Sequence, residues 1–160
     1  MGDRARPGTQ AGGAELERVL EDLRDATAAS RVTLRLDTPG QVFPVAGEAL
    51  APGIRSIRDA TEIDLRAATT FQYLERELRP LIQNDCASGD YPAPSELIQL
   101  YGVKAQMLAP IVRDDRLAGI VSVHHAPATR RWSASDITAL EDAVSEIQKL
   151  LDGSAQMIDL

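Results

Sequence analysis

The chain has 160 residues, 44% of them hydrophobic and 26% charged, and its 17 basic and 24 acidic side chains leave a net charge of −7. That size and balance suit one folded domain and stand far from the apolar-poor, highly charged composition of disordered chains. The acidic excess argues against nucleic acid and anionic membrane surfaces as partners, since both are bound by basic groups that neutralise phosphates.

The single cysteine, Cys86, excludes an intrachain disulfide, and with only His124 and His125 beside it no usual metal-ligand set is expected. No stretch approaches the ~20 apolar residues that span a bilayer, and the opening MGDRARPGTQAGG has no apolar signal core. A cytoplasmic protein is expected.

Residues 1–13, rich in glycine, offer nothing to offset the entropy of ordering and read as a disordered leader to a domain over 14–152, with 153–160 as a tail. Over 14–29 the apolar residues Leu16, Val19, Leu20 and Leu23 recur at helical spacing. Residues 31–37 (RVTLRLD) alternate, with Val32, Leu34 and Leu36 on one face, which predicts a strand with one buried side. Thr38-Pro39-Gly40 has turn chemistry, so 41–46 is expected as the hairpin partner, although Pro44 removes one ladder donor. The signal over 47–66 is mixed.

The segment 67–79 sets Phe71, Leu74 and Leu78 on one helical face and ends at Pro80. A short strand over 81–85, a loop over 86–92 and a short helix over 94–102, opened by Pro94 and closed by Gly102, follow. Strands 103–113 and 116–125, joined by Asp114-Asp115, form an antiparallel hairpin. Ser133 or Ser135 caps a last helix that Gly153 is expected to stop, with Ile137, Leu140, Val144, Ile147 and Leu151 as a heptad seam. The order predicts an α+β fold: a central antiparallel β-sheet with the terminal helices on one face and irregular segments on the other.

Three segments then carry a resemblance: LIQLYGVKAQMLAPI (97–111), RLAGIVSVHH (116–125) and RRWSASDI (130–137). In order and spacing they resemble phytochrome-like members of the GAF family, sensory domains of phytochromes, cyclic-nucleotide phosphodiesterases and many bacterial regulators. The resemblance covers roughly 14–151. It implies a GAF-like sheet, a ligand pocket beneath loops and short helices opposite the terminal helices, and dimerisation through those helices. Aligned by the short helix, Ala93 and Pro94 occupy the positions where bilin-binding members often carry a Cys-His pair, so no covalently held cofactor is expected. The phosphodiesterase signature Asn-Lys-x-Asp-Glu is absent, and one thiol cannot serve the multi-cysteine chemistry of the methionine sulfoxide reductases on this fold.

Alternation sets His124, Ser122 and Ile120 on one face of the strand 116–125 and His125 on the other. The resemblance matches His124 to a pocket histidine. An imidazole there hydrogen-bonds, and charges near neutral pH, in ways that suit a carboxylate or carbonyl; the alternative is a strand-end histidine without a ligand. On the preceding strand Ala105, Met107 and Ala109 suit packing under the terminal helices, which leaves Gln106 for the pocket or for solvent. Phe71, Tyr73 and Tyr91 are candidate pocket walls. Trp132 reads as a packing anchor, and Cys86, flanked by Asp85 and Asp90, as a small apolar loop residue rather than a reactive thiol.

The ligand-binding candidates are therefore His124, Gln106, Ser122, Phe71, Tyr73 and Tyr91, with no catalytic or metal-binding residue assigned. The expectation is a stand-alone bacterial GAF-type sensor that binds a small organic ligand between the sheet and the segments 47–66 and 86–95. It would signal through a homodimer or a partner. Two alternatives stay open: a small enzyme using His124 as acid/base, and a ligand-free dimerisation module. The first and last helical segments carry net charges of −3 and −4, which account for the whole net charge and would sit at the rim of any helix-helix dimer.

Overall fold

A computed structural model describes residues 7–60 and 63–159, with side chains placed over 13–60 and 63–153. The elements are α1 (Pro7–Thr27), β1 (Arg31–Leu36), β2 (Val45–Leu50), α2 (Thr69–Glu77), β3 (Leu81–Gln83), α3 (Ser95–Tyr101), β4 (Ala105–Arg113), β5 (Arg116–His125) and α4 (Ala134–Asp159). The five strands form one sheet in the order β2-β1-β5-β4-β3, every pair antiparallel. This is the expected α+β fold.

The period-two alternation of β-strands sorts the side chains to two faces. Val32, Leu34, Ala105, Met107, Ala109, Ile111, Val121 and Val123 lie on one face and build the main core with Leu20 and Leu23 of α1 and Leu140 and Ile147 of α4. On the other face Leu108 and Ile120 pack with Phe43, Phe71 and Leu74, while Ile57, Cys86, Leu97, Tyr101 and Val103 form a third cluster.

Ser133 caps α4: its Oγ accepts from the Asp136 amide at 3.0 Å, and Asp136 Oδ2 accepts from the Ser133 amide at 2.9 Å. Trp132 anchors the same corner, donating its indole N–H to the Gln83 carbonyl at 3.0 Å beneath the Arg130 guanidinium.

Several boundaries differ from the sequence expectation. The turn at Thr38–Gln41 forms, with Gly40 at φ +78°, but the partner strand begins at Val45 rather than 41. Burial explains the shift. Phe43 swings inward at φ +46° to meet Phe71 edge-on, with ring centroids 5.1 Å apart, and so takes 41–44 off the ladder. Pro44, which has no N–H to give, accepts from the Leu36 amide instead.

The first helix starts at Pro7, inside the segment read as a leader, while residues 1–6 lie outside the described residues. Gly153 does not stop α4, which runs on to Asp159; a glycine ends a helix where it adopts positive φ, and Gly153 is not among the residues that do. The seam expected for dimer contact is largely used within the domain: Leu140 and Ile147 are fully buried under the sheet, and Ile137, Val144 and Leu151 are half-buried. Among the described residues, no helix is long and apolar enough to cross a membrane.

Candidate functional site

Strand β1 was expected to bury one side, but it is second from the sheet edge and covered on both. Its polar half, Arg31, Thr33 and Arg35, therefore faces inward beneath the loops. Cross-strand register aligns Arg31 with His124, His124 with Gln106 and Gln106 with Gln83, so four polar side chains form a row across four strands. One step along the strands, Thr33 stands opposite Ser122, and one further step sets Arg35 opposite Ile120.

Over this face lies a partly open cavity of about 50 Å³. The sheet supplies Arg35, Gln106, Leu108, Ile120, Ser122 and His124 to its lining; Thr70, Phe71 and Leu74 come from α2, Leu97 from α3, and Ile57, Ile63, Leu65 and Pro94 from the connecting segments. Of the sequence candidates, His124, Gln106, Ser122 and Phe71 are thus brought together. Tyr73 and Tyr91 are not: their rings pack on each other 4.9 Å apart, with Arg76 near both, away from the cavity.

Hydrogen bonding fixes the orientation of the row. Gln83 donates its side-chain amide to the Tyr91 carbonyl, so its oxygen is the atom that receives the Gln106 amide, at 2.8 Å. Gln106 Oε1 is then left buried without a partner, on a residue 1% exposed. An unsatisfied buried acceptor costs roughly 1–3 kcal/mol, so this oxygen calls for a donor.

At the other end of the row Arg31 Nη1 lies 3.0 Å from His124 Nδ1. Because a guanidinium only donates, Nδ1 accepts and the ring proton sits on Nε2. Burial, and then the Arg31 and Arg35 cations, hold the His124 pKa well below the ordinary histidine range. The imidazole is therefore a neutral donor, which corrects the expectation of a histidine that charges near neutral pH.

The residues that composition and spacing did not flag are Arg31, Arg35 and Glu48. Arg31, 2% exposed, donates to the Arg55 carbonyl and lies 3.9 Å from Glu48 Oε2. Glu48 in turn accepts from the Ser56 hydroxyl and, at 2.9 Å, from the Ile57 amide, which ties the segment after β2 down over the sheet. Arg35 donates to the Phe43 carbonyl at 3.0 Å. The available signal was the polar half of RVTLRL, which becomes informative only once β1 is known to be covered on both sides.

Cys86 is fully buried among Ile57, Ala93, Leu97, Tyr101 and Val103, outside the cavity lining. Burial and then the Asp85 carboxylate push its thiol up to about 12, so it stays a thiol at neutral pH. His125 points to the opposite side of β5, edge-on to Trp132 with ring centroids 6.3 Å apart.

No curated protein matches the chain. Among solved structures, the blue-light-absorbing form of the Thermosynechococcus elongatus PixJ GAF domain is similar at 23% identity and TM-score 0.72, with 96% of this chain and 94% of that one covered. A dark and illuminated structure of the cyanobacteriochrome receptor PixJ is 25% identical at TM-score 0.71, covering 90% of this chain and 97% of that one. The phycocyanobilin-bound GAF domain of a cyanobacterial phytochrome is 21% identical at TM-score 0.72, covering 91% and 87%. The GAF domain family model matches residues 13–150, nearly the whole of the fold described above. The chain belongs to the GAF domain family.

Proposed function

We propose that this chain is a sensory domain whose loop-face cavity takes a small organic molecule without a covalent link, contacted by His124, Gln106 and Ser122 and shaped by Phe71. The observation that carries this reading is the unpartnered Gln106 Oε1 in a cavity wall that also holds the neutral His124 ring. Donor and acceptor on adjacent strands can read a complementary pair on a ligand. Tyr73 and Tyr91 support the site from behind, since the Tyr91 carbonyl orients Gln83 and hence Gln106.

Size limits the ligand. The cavity, about 50 Å³, suits a compact ligand better than a linear tetrapyrrole. Ala93, at the position where the resemblance would put the bilin-linking cysteine, cannot form a thioether, and its neighbour Pro94 lines the cavity. The ligand class is therefore smaller than the phycocyanobilin of the phytochrome relative. No observation favours turnover: the Cys86 thiol is outside the cavity, and His124 is engaged by Arg31.

We further propose that occupancy is relayed through the sheet to α1 and α4, which cover its other face, and on to a second cytoplasmic copy through Leu16, Val19, Ile137, Val144 and Leu151. Sedimentation should give a dimer mass that Val144→Glu reduces to a monomer; a monomer for both proteins contradicts the relay.

Native mass spectrometry of the purified protein tests the binding reading. A small adduct lost on denaturation is expected. Coexpression with a bilin-producing pathway should leave the denatured polypeptide colourless, and a zinc-fluorescent band in a denaturing gel contradicts the reading.

A further inference from the structure

The buried charge on the cavity face does not balance. Two arginines, Arg31 and Arg35, project from β1 onto this face with one glutamate, Glu48, and Glu48 lies against Arg31. Arg35 makes no ion pair among the described residues, and its hydrogen bond goes to a neutral carbonyl. No acidic residue lines this cavity, although Arg35 also borders a neighbouring surface hollow that includes Asp64. Glu48 is the one carboxylate that both arginines feel, so two cations share one counter-charge on this face, and a bound anion at Arg35 completes the balance.

The layout also has a direction. The His124–Gln106 pair and the Ile120–Arg35 pair are four residues apart along β5, about 13 Å at ~3.3 Å per residue. One end of the cavity therefore presents a donor, His124 Nε2–H, beside an acceptor, Gln106 Oε1. A long cationic side chain enters from the other end. An amide or similar group supplies both halves of the first match, and a carboxylate supplies the second.

The volume agrees with a short connecting chain. A cavity of about 50 Å³ leaves room for few atoms between the two ends. We infer that the ligand is a short-chain carboxylate with a distal amide-like group, held by the amide on His124 and Gln106 and by the carboxylate at Arg35. This rests on the binding reading above and adds the ligand's charge and polarity. Arg35 is then a specificity-determining residue.

Calorimetry with succinamate, neutral succinamide and dianionic succinate tests the assignment on the whole chain. Wild type should bind succinamate about tenfold or more tightly than succinamide, as expected for a hydrogen bond to a charged group, and more tightly than succinate, which lacks the amide donor. Arg35→Gln should erase the difference between succinamate and succinamide, and Arg35→Lys should restore part of it. Gln106→Leu should weaken both amides while keeping the preference for the anion.

Equal succinamate affinity in wild type and Arg35→Gln, or succinamide bound as tightly as succinamate, overturns the charge assignment and leaves the cavity as a binding site for neutral molecules. If none of the three compounds binds while a co-purified adduct is present, this inference falls alone. Absence of both binding and adduct removes the binding reading with it.

Discussion

The two faces of one sheet are built to opposite rules although the same five strands supply both. On the helix face the fully buried residues of β4 and β5 are apolar, from Ala105 and Met107 to Val121 and Val123, and α1 and α4 close over them. On the loop face the intervening residues include Gln106, Ser122 and His124, joined by Arg31, Thr33, Arg35 and Glu48, under connecting segments and two short helices. Hydrophobic burial stabilises the first arrangement without any directional demand. The second also holds groups that must find particular partners, and two of them, Gln106 Oε1 and Thr33 Oγ1, are buried without one. The helix face is thus a packing core alone, whereas the loop face combines the Phe43, Phe71, Leu108 and Ile120 cluster with the polar row proposed as the binding surface.

Adjacent residues of β4 give the sharpest way to break that division. Met107→Ala opens a cavity in the helix-face core and should cost about 2–5 kcal/mol of unfolding free energy. Gln106→Leu removes a buried orphan together with the bond to Gln83, so its stability cost should stay at about 1 kcal/mol, below that of Met107→Ala, while ligand binding weakens. Chemical denaturation of both variants decides the matter, and a larger loss for Gln106→Leu than for Met107→Ala would reverse the roles assigned to the faces.

Acidification should act through the loop face. An unfolded histidine titrates near pH 6.5, whereas His124 in the fold stays neutral well below that. The unfolded state then binds more protons in that window. The His124 contribution is fully present above about pH 6.5 and is lost as the pH falls through that value toward the depressed folded-state pKa, at up to ~1.4 kcal/mol per pH unit. Denaturation of wild type and His124→Gln across this range should show the extra slope in wild type alone; parallel curves would mean that the ring charges freely in the fold.

The smallest effect lies away from both faces. Asp114 and Asp115 join β4 to β5 with φ of +54° and +62°, the left-handed pair that a two-residue hairpin turn with matching twist requires. Asp115→Gly removes the side-chain penalty for that conformation and should stabilise the domain by about 0.5–1 kcal/mol with ligand binding unchanged. A destabilised variant in thermal unfolding would show that the aspartate contributes more than its backbone strain costs.

What was legible in the sequence follows the same division. The apolar alternation of β4 and β5 marks both strands and sorts Met107 from Gln106, because period two is a local property. The helix-face stripes of α1 and α4 read equally well. Arg31 and Arg35 were not legible as site residues, since their burial depends on β1 lying inside the sheet and on a cover drawn from several distant segments, Arg55 and Leu97 among them. The β2 boundary was missed for a related reason: Phe43 leaves the ladder to reach Phe71, a partner distant in sequence. The His124 charge state likewise depends on Arg31, which stands 93 residues earlier in the chain.

The central claim is that the loop face presents a neutral donor on His124 beside a free acceptor on Gln106, and nitrogen-15 NMR of the His124 ring tests it most directly. The account predicts a protonated Nε2 and an unprotonated, hydrogen-bond-accepting Nδ1 at neutral pH, unchanged as the pH is lowered to about 6. A ring protonated on Nδ1, or doubly protonated at neutral pH, would contradict it.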